Sequence, residues 1–134
     1  MDLNRYIPIT NLGELRSYAG CVFSCDLASG TITISQRAVA ETIVAKVGVT
    51  RNKATTMVVG LNLDMLDPTE HDMEEPFQSL VGHLMWLTTQ TRPDILNAVR
   101  TVARCTHTPE RVHWKAALHV FMYVRFTSIY GITF

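Results

Sequence analysis

The chain has 134 residues, 47% of them hydrophobic, with twelve basic side chains against twelve acidic ones and a mean hydropathy of +0.11. That suffices for one modest domain with its own core and excludes a disordered tail. No apolar run approaches the ~18 residues of a membrane span, and MDLNRYIPIT lacks the basic-then-apolar profile of a secretion signal, so a cytosolic or nuclear protein that is neither secreted nor membrane-bound is expected.

In chain order, Leu12 to Leu15 reads as a turn or short helical entry. Tyr18 to Cys25 is rich in β-formers, and TITIS (Thr31 to Ser35) alternates Thr with Ile32 and Ile34 on one face. The intervening DLASG supplies Asp26 and Gly30 for a hairpin loop of four or five residues. Ser35 is placed to cap a helix whose apolar positions Val39, Ala40, Ile43, Val44 and Val47 recur at helical spacing, with Gly48 to stop it.

From Thr50 to Glu75 the periodicity fails, and Gly60, Asp67-Pro68 and clustered acids mark a long surface connection. Pro76 suits the first turn of the next helix, in which Phe77, Leu80, Val81, Leu84 and Thr88 form one stripe. Ser79, Gly82 and Trp86 fall on the other side. Gly82 costs that helix about 1 kcal/mol relative to Ala and leaves a shallow notch one turn before the indole. Pro93 and Asp94 start a further helix with Ile95, Ala98, Val99, Val102 and Ala103 as its stripe. Thr108-Pro109-Glu110 repeats the start signal for a last helix to about Thr127, and Gly131 then releases the chain into the beginning of a strand. The order is that of an α+β fold: an N-terminal β-hairpin followed by a mainly α-helical region.

Charge is unevenly placed. Residues 51–80 hold six acids against Arg51 and Lys53, whereas 81–134 holds six bases (Arg92, Arg100, Arg104, Arg111, Lys115, Arg125) against Asp94 and Glu110. Such a basic helical half either meets phosphate or is a solvated face. The three cysteines, Cys21, Cys25 and Cys105, are too few and too scattered for a disulfide framework and read as small reduced thiols. Cys105-x-His107 with His113 lacks the tight cysteine pair of structural zinc, so no metal site is expected. Ser79 and His83 lie one turn apart, but no third group orients them, and no phosphate loop or hydrolase elbow occurs. No catalytic residue is assigned, and the chain alone does not read as an enzyme.

The hairpin LGELRSYAGCVF…DLASGTITISQ and the block PFQSLVGHLMWLTTQTRPDILNAVRTVARCTHTPERVHWKAA closely resemble the reverse transcriptase of copia-type LTR retrotransposons, part of a Pol polyprotein. The match runs from Leu12 to Phe134; Ser79-Leu80-Val81-Gly82, Leu84 to Thr89, Thr91 to Ile95 and His113-Trp114 are its most specific parts. In that family the stretch follows the Tyr-x-Asp-Asp polymerase motif and precedes RNase H, and neither flank occurs here.

The resemblance implies that residues 1–35 are the end of a palm, and that 36–134 are a thumb-like helical region with an irregular acidic connection at about 50–75. Tyr18, Ala19, Gly20 and Cys21 then resemble the primer grip. Ser79, Gly82, His83, Trp86 and Arg92 are implied as contacts, in the context of the parent polyprotein, to an RNA/DNA or DNA template–primer duplex, whose wide minor groove a flat aromatic and a glycine notch can meet. Arg92, Arg100 and Arg104 are either phosphate contacts or stabilisers of the neighbouring helix. For Trp86 the alternative is burial under a second helix. No cofactor is expected in this chain, and Mg²⁺ is expected of the parent RNA-directed DNA polymerase.

Two departures weaken the footing. Tyr18 to Cys21 stands where the family has Phe-Leu-Gly-Ile, and Leu118 to Thr127 replaces a basic run ending in Lys-Gly-Thr. The competing readings are an independently expressed small nucleic-acid-binding or protein-interaction domain, or a relic without function. The sequence carries no signal of oligomeric state.

Overall fold

The computed structural model describes residues 5–63 and 76–134. The fold is α+β: an antiparallel four-stranded sheet and four helices, in the order β1 (Ser17–Tyr18), β2 (Cys21–Asp26), β3 (Thr31–Ser35), α1 (Arg37–Val47), α2 (Phe77–Gln90), α3 (Leu96–Ala103), α4 (Arg111–Phe126) and β4 (Gly131–Thr133). A 3₁₀ turn, Pro93–Ile95, leads into α3. Leu12 to Leu15 forms no helical turn.

The expected hairpin is β2–β3, with Asp26 opposite Thr31. Its loop is held by Asp26, whose carboxylate accepts from the Ala28 N–H at 3.0 Å and the Ser29 hydroxyl at 2.7 Å. Tyr18 to Cys25, which reads as one β-rich run, is in fact two strands. Tyr18 pairs with Cys21 across Ala19 (φ 51°) and Gly20 (φ 79°), and two consecutive positive φ values make the tight two-residue turn that matches strand twist. At the other edge, β4 comes back to pair with β3, Thr133 opposite Thr33 across 100 residues of chain and Ile132 opposite Ile34.

That long-range pairing also corrects the start of α1. Ser35 stays in the sheet opposite Gly131, and the N-cap position falls on Gln36, which makes no side-chain cap. The Gln36 side chain turns inward instead, its Oε1 accepting from the Thr91 hydroxyl at 2.9 Å. Gly48 ends α1 in the left-handed conformation, as its position predicts.

The core is helical. Ala40, Ile43 and Val44 of α1, Phe77, Leu80, Val81, Leu84 and Leu87 of α2, Ala98, Val99 and Val102 of α3, and Ala117, Val120, Phe121 and Val124 of α4 form one buried cluster. Helix α4 starts with a capping box in which the Glu110 side chain accepts from the His113 N–H and the His113 ring accepts from the Glu110 N–H.

The described half of the irregular connection is a strap. Residues 50–63 run antiparallel along α4: Asn52 accepts from Arg125, the Lys53 N–H donates to the Met122 carbonyl, and the Thr55 carbonyl and His119 Nε2 lie 3.0 Å apart. Leu63 is buried, and its carbonyl accepts from His113 Nε2 at 2.9 Å. The acidic part of the connection, 64–75, lies outside the described residues. Among the described residues, no helix is long and apolar enough to cross a membrane.

Candidate nucleic-acid interface

Helix α2 buries one face completely, Leu84 and Leu87 having no exposed surface. On the opposite face Ser79, Gly82, His83 and Trp86 follow one another at spacings of three, one and three residues, so they share a single stripe. Ser79 and Gly82 are exposed and His83 is half-buried. Trp86 keeps 42% of its surface, so no second helix among the described residues covers it. A Cβ built on Gly82 would meet nothing within 4 Å. Packing therefore gives no reason for a glycine there, and Ala would be the better helix residue. Gln90, exposed at the next turn, extends the stripe; the same spacing in the sequence points to it.

Beside this stripe lies a groove of about 530 Å³ between α2 and α3, lined by Met85, Asn97, Arg100, Thr101 and Arg104. Asn97, Arg100 and Thr101 of α3 and its C-cap Arg104 recur at helical spacing opposite the buried Ala98, Val99 and Val102. Arg100 and Arg104 are exposed. The carboxylates nearest in the helical half are committed elsewhere: Asp94 to Arg92, Glu110 to the α4 cap.

Arg92 is not part of this surface. It is 2% exposed, and its fork grips Asp94 bidentately, Nε to Oδ1 at 2.9 Å and Nη2 to Oδ2 at 2.8 Å. Nη1 donates to the Thr127 carbonyl at 3.0 Å and Nη2 also to the Thr127 hydroxyl at 2.6 Å. The rings of Tyr123 and Tyr130 flank the guanidinium, each centroid 5.6 Å away. Of the two roles open to it in the sequence, stabiliser of the neighbouring helices is the one its contacts fill. Partial burial pushes the Asp94 carboxyl up, but hydrogen bonds and charge from Arg92, with the Tyr123 hydroxyl, prevail and lower its pKa from the ordinary 3.8. Burial, then the Asp94 charge, raises the Tyr123 phenol.

Tyr18 to Cys21 lie apart from the α2 stripe, at the tight turn of the sheet. Tyr18 is 72% exposed and Cys21 is buried. The turn packs on α1, where a Cβ at Gly20 would press on Val39 at 2.9 Å. Both ring nitrogens of His113 are occupied by the cap and the strap. Among the described residues, no three His, Cys, Asp or Glu side chains come together as a metal site.

This surface combines a half-exposed indole and an open glycine on α2 with two exposed arginines, one on α3 and one just after it. Comparison with known proteins gives it a context. Over 95% of its length the chain is 27% identical to the retrovirus-related Pol polyprotein from transposon TNT 1-94 of Nicotiana tabacum, which supports a retrotransposon Pol origin. It spans only 10% of that polyprotein. It is also 37% identical over 59 residues to secreted RxLR effector protein 161 of Plasmopara viticola, covering 44% of this chain and 42% of the effector. No family model matches. No solved structure matches.

Proposed function

We propose that this chain is the template–primer-contacting part of a retrotransposon reverse transcriptase. It is not catalytic alone, and the polymerising carboxylates with their Mg²⁺ belong to other parts of the parent polyprotein. Helix α2 lies along the minor groove of an RNA/DNA or DNA duplex. Gly82 lets the sugar–phosphate backbone approach the helix, and Trp86 with Ser79 and His83 packs against the sugars and groove floor, contacts that position without reading sequence. Arg100 and Arg104 hold phosphates, and the Ala19-Gly20 turn faces the primer end. The observation that carries the reading is Gly82: a helix-weakening residue with open space around it, one turn from a half-exposed tryptophan.

Binding of the purified chain to a fluorescent RNA/DNA hybrid tests this. Trp86→Ala is expected to lose about 1–3 kcal/mol of binding. Gly82→Ala is expected to move the two readouts in opposite directions, stabilising the fold by roughly 1 kcal/mol while weakening the complex. Replacing Arg100 or Arg104 by Ala should each reduce the log–log salt slope by about one. Wild-type affinity in a folded Trp86→Ala variant would falsify the assignment.

The similarity to a small effector, which is matched over 42% of its length, favours a second reading: a separately expressed domain using the same surface for nucleic acid or protein. Hybrid binding that fails while the chain melts cooperatively would move the weight to its protein-binding form.

A further inference from the structure

The strap and α4 enclose a second feature that the duplex surface does not use. Between them is an apolar cavity of about 200 Å³ lined by Met57, Val58, Leu61, Val112 and Ala116, with Lys115 in its wall. It is smaller than the ~300 Å³ at which sites for drug-sized ligands begin, yet larger than the ~150 Å³ apolar cavity that can hold benzene. It is thus sized for one side chain such as Leu or Phe. Apolar surface continues around its mouth: Val58 is 54% exposed and Val59, at the tip of the turn, 98%. Monomeric proteins keep such contiguous apolar surface small unless something docks there.

The two described segments that wall the cavity carry charge of one sign. Residues 50–63 and 111–126 together contain Arg51, Lys53, Arg111, Lys115 and Arg125 and no acid at all. Lys115 is exposed and makes no ion pair with the described residues. A phosphate backbone would answer the cations but would leave the cavity unfilled. An acidic polypeptide answers both, because it can carry an apolar anchor between its carboxylates, the pattern by which interface anchors fill pockets under a charged rim.

We propose that this pocket is a docking site for an acidic peptide segment that inserts one apolar side chain between Met57, Leu61 and Val112 while its carboxylates pair with Lys115, Lys53 and Arg51. The site is separate from the α2 stripe and independent of the reading given to it.

The test is an amide NMR titration of the intact 134-residue chain with a synthetic twelve-residue peptide of glutamate and serine carrying one central leucine. Shift changes confined to Arg51–Leu61 and Val112–His119 are expected. Lys115→Glu in the protein, or leucine to asparagine in the peptide, should each weaken binding about tenfold, a difference of about 1.4 kcal/mol. Val58→Ser, at an exposed position, serves as a second variant with the same expected direction. Shifts centred on α2 or the sheet, or equal binding by the leucine and asparagine peptides, would overturn the proposal. So would an RNA/DNA hybrid that shifts the strap and α4 where the peptide does not.

Discussion

At Arg92 one guanidinium holds three parts of the chain together: the end of α2, the 3₁₀ turn through Asp94, and the end of α4 through Thr127. Removing it would strand a partly buried carboxylate and two acceptors on Thr127. Arg92→Ala is therefore expected to cost about 3–5 kcal/mol of stability by urea unfolding. Arg92→Lys should rescue little, since an ammonium cannot reproduce the fork or lie flat between two tyrosines. The same cluster sets an acid limit. The Asp94 carboxyl is lowered below 3.8 in the folded chain, so the unfolded chain binds its proton first as pH falls. Its stabilisation is fully present above about pH 4 and is lost as the pH drops through the folded value. Unfolding followed from pH 6 to pH 2 should show that loss, and Asp94→Asn should flatten it while lowering stability at neutral pH. Gln36 is the opposite case: its Nε2 is buried without a partner among the described residues, a cost of about 1–3 kcal/mol that the core carries.

At the scale of elements, the strap on α4 turns on one histidine. His113 accepts from the Glu110 N–H through Nδ1, so its proton sits on Nε2 and is donated to the Leu63 carbonyl. His113→Leu keeps the volume but orphans both groups, about 1–3 kcal/mol for each left without water. It is expected to lower the melting temperature and to raise amide exchange in residues 55–63 more than in α2; equal acceleration in both would mean that the histidine merely fills space. Helices α1 to α4 are legible in the sequence because each has a repeating stripe and a start or stop residue: Gly48, Pro76, Pro93, Pro109-Glu110. The strap is not, because Val49 and Leu63 are buried and Met57 partly buried at spacings with no period. The face carrying Gly82 and Trp86 is legible for the same reason as the helix beneath it. Arg92 escapes such reading because its partners Tyr123, Thr127 and Tyr130 lie over 30 residues away in sequence and only the fold brings them near.

Over the whole molecule, the helices share one buried core while the sheet stands largely outside it. Pairing puts Phe23, Cys25, Ile32, Ile34 and Ile132 on one face of the sheet, yet none of them belongs to the buried cluster. Ile32 is 44% exposed, and Phe134, whose N–H and carbonyl pair with Ile32, is 72% exposed. The sheet meets the helices mainly at one corner, where Gly20 approaches Val39 and Gln36 meets Thr91. Antiparallel sheets tolerate one wet face, but their stability comes from the covered one, and here that cover is slight. Unfolding of the isolated chain should accordingly be uneven, since local opening costs least where few apolar contacts are lost. Native-state amide exchange is expected to show Phe23, Cys25 and Ile34 opening at a small fraction of the global free energy. Val99, Val120 and Phe121, with no exposed surface, should exchange only through global unfolding. Strand and helix amides that exchanged with the same free energy and the same urea dependence would instead show a single cooperative unit, with the sheet's few contacts at Gly20, Gln36 and Thr91 sufficient to couple it to the helices.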